Sequence, residues 1–536
     1  MSKFEEGHDM SEKYEIDQMQ DVGTHEVHIA PEQEGLKRDL RLRHMVMIAI
    51  SGTIGTGLFL TSGSTIATAG PGGALLAYAL IGLWLVFVCQ AIGEIATLLP
   101  LPGAFNAWGG RIFDEAFSFQ MTYMYFINWA LTIPAELSAS AVIVEFWIGK
   151  DSSFPSWVVP VIIIVLMVFI NMAGVQAYGE LEYWFSILKV LTIIIFIVCG
   201  ILVDAGAIGG TTYGVSNWHI EGAPFKGGFM GFLTTLVSVG YAYGGSEMTV
   251  PQPHKHVPKA VNTVLVRIAF FYLSSIFLLG SIVANSDPLL INTAGSAAQA
   301  PFTIVFVKAG LKGAANYMNA VVFTSVFSAI NSDYYIATRM LLSLSRSGWA
   351  HKKIGYTNSR GVPVVALGIV TACSCLSLIT IFVGSGVVFQ WFVSIIGSIL
   401  FQSWILILFL HFRFRYCWKA RALPYASWGY PYGNILATII GCCCIIATWY
   451  LSIINPPRYP GVGATDDLLA AYRTSRDAIS KGLLGAWFPW IMSAILFFSY
   501  KFAKGTTMIR LRMPILTLED LKPHGPAWKR VLKMFV

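Results

Sequence analysis

Residues 52–57 read GTIGTG and residues 240–247 read GYAYGGSE, and each stretch lies inside a long apolar segment. A glycine costs an α-helix about 1 kcal/mol relative to alanine, so this density predicts that both helices are locally unwound. In transporters built from two inverted halves, broken helices at corresponding positions form a substrate site near the middle of the membrane. Close helix packing is the alternative explanation for the glycines, but it does not account for their matching places along the chain.

The composition of the whole chain is that of an integral membrane protein. Of its 536 residues, 55% are hydrophobic and 12% are charged, whereas about a quarter of the residues in a soluble domain are charged. Because a helix needs roughly 20 apolar residues to cross the hydrocarbon core, we predict about twelve spans in an all-α fold. The predicted spans are residues 45–68, 74–99, 119–148, 157–174, 184–203, 229–248, 261–283, 317–344, 362–383, 388–410, 435–454 and 483–500.

The position of basic residues predicts the orientation of these spans. Lysine and arginine cluster before the first span and after the sixth, eighth and tenth, which places both termini in the cytoplasm by the positive-inside rule. The loop between the last two spans does not follow this rule, since it lies on the opposite side and also carries basic residues. We interpret residues 1–36 as a disordered acidic cytoplasmic tail, 37–500 as the transmembrane domain, and 501–536 as a cytoplasmic C-terminal tail.

Several other function classes are disfavoured. The glycine string in residues 52–57 lies in an apolar span, whereas a nucleotide-binding fingerprint requires a strand, a turn and a helix. The three consecutive cysteines at 442–444 cannot converge on one metal ion from a helix. We therefore expect no enzymatic activity, no cofactor, no metal and no nucleic-acid partner, and the lipid bilayer as the surroundings.

Unwound helices suit an amino acid as ligand. Amide groups at a helix N-terminus carry partial positive charge and suit a carboxylate, while free carbonyls at a helix C-terminus suit an ammonium group. Glycine also allows the ligand to approach the backbone closely.

Several motifs occur along the chain in a consistent order. They are GTIGTG at 52–57, GP at 70–71, GEIATLLP at 93–100, PAEL at 134–137, SAINS at 328–332 and TNSRGVP at 357–363. Together they resemble the fungal amino acid permeases of the amino acid, polyamine and organocation superfamily. The resemblance implies a five-plus-five inverted repeat with broken helices 1 and 6 and two additional helices. It also implies import of amino acids across the plasma membrane by proton symport with alternating access.

The resemblance further implies a set of site residues. The implied substrate-binding set is Thr53, Ile54, Gly55, Thr56, Gly57, Tyr241, Tyr243, Gly244, Gly245 and Glu247. In this set the amides of residues 55–57 hold the carboxylate, the carbonyls of Thr53, Tyr241 and Gly244 hold the ammonium, and Tyr243 is an aromatic lid. We expect a valine at Gly57 to abolish uptake without changing surface abundance. The inner half of the sixth helix looks shorter than in the family, since Pro251 follows soon after Glu247.

Ionisable residues inside apolar spans need a partner or water, because a charge there costs about 3 kcal/mol. Glu136 and Glu247 are candidates for proton exchange, with an ordinary hydrogen bond as the alternative. Glu94 and Arg339 lie near cytoplasmic ends, where an ion pair or a helix anchor is expected. The coupling or structural set is Glu136, Lys189, Ser328, Asn331 and Asp333.

The resemblance places Lys189 where sodium-coupled transporters of the same fold bind a cation, which predicts transport independent of sodium. Snorkelling of Lys189 to the interface is the alternative. Ile396 stands where carriers of basic amino acids tend to have a hydroxyl, which favours neutral substrates. Asp333 favours a cationic side chain, although a salt bridge explains it equally well. The sequence therefore does not determine which amino acid side chain is transported. An amino acid sensor and a permease for polyamines or 4-aminobutyrate are the alternative functions.

Overall fold

The computed structural model describes residues 54–99, 105–149, 154–245, 264, 266–290, 300–417, 425–454 and 466–508. Regular structure within these ranges is helical throughout, with no strand. The predicted N-terminal tail, most of the predicted C-terminal tail and the inner part of the sixth span lie outside the described residues.

The α-helices follow the order of the predicted spans, with short helices between them. They are α1 (Ser62–Leu98), α2 (Phe105–Ile112), α3 (Glu115–Ile148), α4 (Val158–Ala173), α5 (Val175–Asp204), α6 (Gly228–Ala242), α7 (Ser274–Ile282), α8 (Pro301–Lys308), α9 (Lys312–Arg346), α10 (Val364–Ser374), α11 (Thr380–Val383), α12 (Ser385–Cys417), α13 (Tyr432–Ile454) and α14 (Asp466–Lys504). Turns of π-helix at Gly57–Thr61 and Ile268–Leu273 lead directly into α1 and α7.

Six stretches of helix in the described ranges are long and apolar enough to cross a membrane. They are Gly57–Thr97, Glu115–Ile148, Tyr178–Asp204, Val364–Val383, Ser385–Tyr416 and Tyr432–Ile453. Large apolar side chains such as Phe169, Trp184 and Ile446 remain exposed on these and neighbouring helices, as expected for surface that faces lipid. The prediction of an all-α membrane protein is confirmed, whereas the twelve spans and the inverted repeat stay predictions.

Helix α1 consists of two helices that meet at a kink at Gly70, where the backbone is not helical, and they correspond to the first two predicted spans. The backbone of Gly70 has φ of +75°, a conformation that glycine adopts without the steric penalty of a Cβ. The loop before α6 closes on this kink, since the Lys226 amide donates to the Ala69 carbonyl at 2.9 Å and the Gly72 amide donates to the Pro224 carbonyl at 2.9 Å. The kink therefore fixes the start of α6 against α1.

The other end of α1 is held by a buried ion pair. Arg415 Nε and Nη2 lie 2.5 and 2.7 Å from the two carboxylate oxygens of Glu94. His411 Nε2 lies 3.0 Å from the same carboxylate, and the Ser427 amide donates to it at 2.8 Å. The expected ion pair at Glu94 is thus confirmed, and it joins α1, α12 and the segment before α13.

Helix α3 lies at the centre of the molecule. It packs most extensively against α9 and α12, while α1 packs mainly against α6. Pro134 lies within α3, two residues before Glu136, and both are buried. This arrangement brings a carboxylate into the interior beside the start of the first helix and the end of α6.

Candidate functional site

The two glycines of the first predicted helix have different surroundings. Among the described residues, the first helical turn begins at Thr56, directly after Gly55. A Cβ built on Gly55 meets no atom within 4 Å, whereas one on Gly57 would lie 2.4 Å from the Ala242 Cα atom. Gly55 therefore borders open space, and Gly57 allows the first helix to approach the end of α6.

Helix α6 ends at the second glycine-rich stretch. Its last residue is Ala242, Tyr243 is the C-terminal cap, and Gly245 has φ of +84° in the turn that follows. The Gly244 amide donates to the Tyr241 carbonyl at 3.0 Å. The N-terminal amides of one helix thus lie near the C-terminal carbonyls of another, an arrangement with complementary partial charges.

Glu136 connects these two helix ends. Thr56 donates its hydroxyl to Glu136 Oε2, and the Tyr241 hydroxyl donates to Glu136 Oε1 at 2.8 Å. All three side chains are buried. One carboxylate on α3 is therefore bonded to the beginning of the first helix and to the end of α6.

A second buried carboxylate, Glu182 on α5, lies against α9. Ser328 Oγ lies 3.1 and 2.9 Å from its two oxygens, and Asn331 Nδ2 donates to it at 3.3 Å. Glu182 and its two partners are almost completely buried. These contacts join α5 to α9 through a charged group.

Lys189 and Asp333 complete the cluster of buried charges. Lys189 interacts electrostatically with Glu182, Glu136 and Asp333. Lys189 and Asp333 are each 4% exposed. Burial of Lys189 at this depth does not fit the snorkelling alternative. The predicted coupling residues therefore lie close together in the interior.

Tyr243 and Ile396 do not join this cluster. The Tyr243 hydroxyl donates to the Tyr78 carbonyl at 3.0 Å, and its ring lies 4.4 Å from that of Tyr272. Ile396 is buried in the apolar core. The residue that contacts Glu136 is Tyr241, whose ring lies 6.1 Å from that of Phe389 on α12. Predicted site residues Thr53 and Glu247 lie outside the described residues.

Sequence reasoning missed Glu182. The predicted span begins at residue 184 and leaves Glu182 outside the membrane, whereas α5 begins at Val175. A signal was present, because Glu182 and Lys189 are seven residues apart and therefore lie on one face of a helix. Within the described ranges, no group of His, Cys, Asp and Glu could hold a metal ion.

Comparison with known proteins gives the family. The family model for amino acid permeases matches residues 44–500. The chain belongs to the amino acid permease family. The permease is 41% identical to the lysine-specific permease of Lactococcus lactis subsp. cremoris, over 76% of this chain and 82% of that protein. It is 37% identical to the Escherichia coli lysine-specific permease, over 89% and 96% of the two chains.

A fungal relative of the permease is the general amino-acid permease of Candida albicans. The two are 37% identical over 78% of this chain and 73% of the relative. The resemblance to fungal amino acid permeases is therefore confirmed. The permease is a multi-pass membrane transporter of amino acids and not an enzyme.

Proposed function

We propose that the permease imports amino acids across the plasma membrane by proton symport with alternating access, with both termini in the cytoplasm. The observation that carries this proposal is the position of Glu136. Its carboxylate accepts hydrogen bonds from Thr56 at the start of the first helix and from Tyr241 at the end of α6. A protonation change at Glu136 therefore acts directly on both helix ends.

The main chain of the substrate is held by the backbone in this proposal. The carboxylate binds the amides of residues 55–57, and the ammonium binds carbonyls of Thr53, Tyr241 and Gly244. Gly55 supports this arrangement because the space beside it is open. Tyr241, which faces Glu136, is better placed than Tyr243 to close over the ligand. The carboxylate and the ammonium of the substrate are then matched without using a charged side chain.

The proton is carried by Glu136. A hydroxyl group both donates and accepts hydrogen bonds, so Thr56 and Tyr241 remain partners of Glu136 in its ionised and its neutral form. The neutral form needs one hydroxyl to turn and accept the proton of Glu136. Proton binding thus rearranges the contacts at the two helix ends that also bind substrate, which is how the two ligands become coupled.

Lys189 replaces a sodium ion in this proposal. Lys189 is buried, and it interacts electrostatically with Glu136 of α3, Glu182 of α5 and Asp333 of α9. Glu182 accepts hydrogen bonds from Ser328 and Asn331 of α9. A fixed cation there takes the position of a mobile sodium ion, because Lys189 already compensates one carboxylate at this place.

The coupling role of Glu136 is tested in liposomes that contain the purified permease. With an inside-alkaline pH gradient, the unmodified permease should accumulate a labelled amino acid from a panel, and accumulation should not change when sodium is replaced by choline. In Glu136→Gln, accumulation should fall to the level seen without a gradient, because glutamine cannot release a proton. Exchange of internal for external substrate should persist.

Glu145→Gln is the matched control, since Glu145 lies on the same helix and is only partly buried. It should accumulate substrate as the unmodified permease does. Full gradient-driven accumulation by Glu136→Gln would contradict the assignment of the proton to this residue. A requirement of the unmodified permease for sodium would contradict the role of Lys189.

A further inference from the structure

We infer that the permease selects amino acids with a cationic side chain and that Asp333 recognises this cation. The inference rests on the proposed function, because it concerns the same site. The names of two of the relatives described above mention lysine, but the charges of this chain support the inference independently.

Buried carboxylates outnumber buried cations in the described part of the cluster. The three carboxylates are Glu136, Glu182 and Asp333, and Lys189 is the one cation with which each of them interacts. A proton on Glu136, as proposed above, removes one negative charge. Lys189 compensates one of the remaining two. When Glu182 and Asp333 are both ionised, one buried negative charge is left over, and a buried charge without a partner is strongly unfavourable.

The substrate main chain does not supply the missing cation. Its ammonium and carboxylate cancel one another, and in the proposed site each is matched by backbone groups at a helix end. A neutral amino acid therefore leaves the charge imbalance as it was. An amino acid with an ammonium or guanidinium on its side chain removes the imbalance.

Asp333 is the carboxylate that has a free position. Its Oδ2 atom is buried and has no hydrogen-bond partner among the described residues. Glu182, in contrast, accepts hydrogen bonds from Ser328 and Asn331. Glu136 accepts from Thr56 and Tyr241. The Oδ2 atom of Asp333 is therefore available to a further hydrogen-bond donor.

Asp333 also points away from the side of α9 that contacts Glu182. Residues two apart on a helix point in nearly opposite directions, so Asp333 and Asn331 do not share a face of α9. Asn331 is directed to Glu182 on α5. Asp333 interacts electrostatically with Glu136, which is hydrogen-bonded to the two helix ends. A cationic side chain that extends from the bound main chain would thus meet Asp333.

The test compares lysine with norleucine, which has the same carbon chain without the ammonium. Uptake of labelled lysine is measured in cells that lack their own amino acid permeases, with unlabelled competitors present. The unmodified permease should bind lysine at least about tenfold more tightly than norleucine. In Asp333→Asn the ratio of the two affinities should fall by about 10- to 100-fold, the range of a hydrogen bond to a charged group. The affinity for norleucine should not fall.

Two variants serve as controls. Asp333→Glu keeps the charge and should retain a preference for lysine. Asp287→Asn removes another acidic residue, one that is paired with Lys308 at 2.7 Å outside the cluster, and should leave the ratio unchanged. Surface abundance of each variant is measured alongside uptake.

Three outcomes would overturn the inference. They are equal affinity of the unmodified permease for lysine and norleucine, an equal loss of both ligands in Asp333→Asn, and preference for a diamine such as putrescine over lysine. Transport of neutral amino acids alone would leave the proposed proton symport standing. Failure to accumulate any amino acid would instead contradict the proposed function itself.

Discussion

At the scale of single residues, Gly55 and Gly57 should respond differently to the same substitution. A valine at Gly55 enters open space, so we expect normal surface abundance and loss of uptake because the side chain fills room beside the proposed ligand. A valine at Gly57 would meet the Ala242 backbone, and such overpacking costs about 1–3 kcal/mol or more. Surface abundance of Gly57→Val should therefore fall, contrary to the expectation from sequence alone.

Surface biotinylation and uptake by the same cells separate the two effects. Gly368→Val is the control, because Gly368 lies in helix α10 and a Cβ there also meets no atom within 4 Å. Gly368→Val should change neither the surface abundance nor the uptake. Normal uptake by Gly55→Val, or normal abundance of Gly57→Val, would contradict this account of the glycines.

The sequence predicted some residues of the cluster better than others, for physical reasons. Glu136 and Lys189 stand out because a charge inside an apolar span is costly and needs a function or a partner. The choice between Tyr241 and Tyr243 was not available from sequence. The two residues lie on nearly opposite faces of α6, and only tertiary packing determines which face is directed to α3.

At the scale of helices, the ion pair of Glu94 should contribute strongly to stability. Removal of one partner leaves the other charge buried, at a cost of about 3–5 kcal/mol. We expect Glu94→Gln to lower the thermal unfolding temperature in detergent, measured by fluorescence-detected size-exclusion chromatography after heating. Glu221→Gln changes an exposed glutamate in a loop and should leave the unfolding temperature unchanged. Equal unfolding temperatures for the two variants would show that Glu94 has little structural importance.

The ends of the helices were the least predictable feature at this scale. The sequence placed the fifth span at 184–203, whereas α5 is Val175–Asp204. The additional turns carry Glu180 and Glu182, polar residues that interrupt the apolar pattern although Glu182 is buried. Apolar length therefore predicts the position of this helix but shortens it at the end that buries Glu182.

At the scale of the whole molecule, the proposed orientation can be tested with single cysteines. Thr211 lies in the loop after α5 and Lys352 in the loop after α9, and both are exposed. The positive-inside rule places the basic loop after α9 in the cytoplasm. A membrane-impermeant thiol reagent should therefore label Thr211→Cys in intact cells, and label Lys352→Cys only after permeabilisation. The unmodified permease gives the background from native cysteines. The opposite pattern would reverse the orientation.

Composition predicted the class of the molecule correctly, because only helices can span a membrane with the apolar segments present here. It did not predict how the interior is connected. The contact of Glu136 with two separate helix ends and the link from α5 to α9 through Glu182 depend on long-range packing.

The contact between Gly57 and Ala242 also has a mechanical consequence. At this point two helices meet without an intervening side chain that could change rotamer or be compressed. A tilt of one helix is therefore transmitted directly to the other, because their backbones are in contact. Thr56 and Tyr241, adjacent to this contact, donate hydrogen bonds to the two oxygens of the Glu136 carboxylate. A rotation of the two helices about this contact would lengthen one of the two hydrogen bonds before the other. The absence of a Cβ atom at Gly57 therefore determines the point about which the helices rotate.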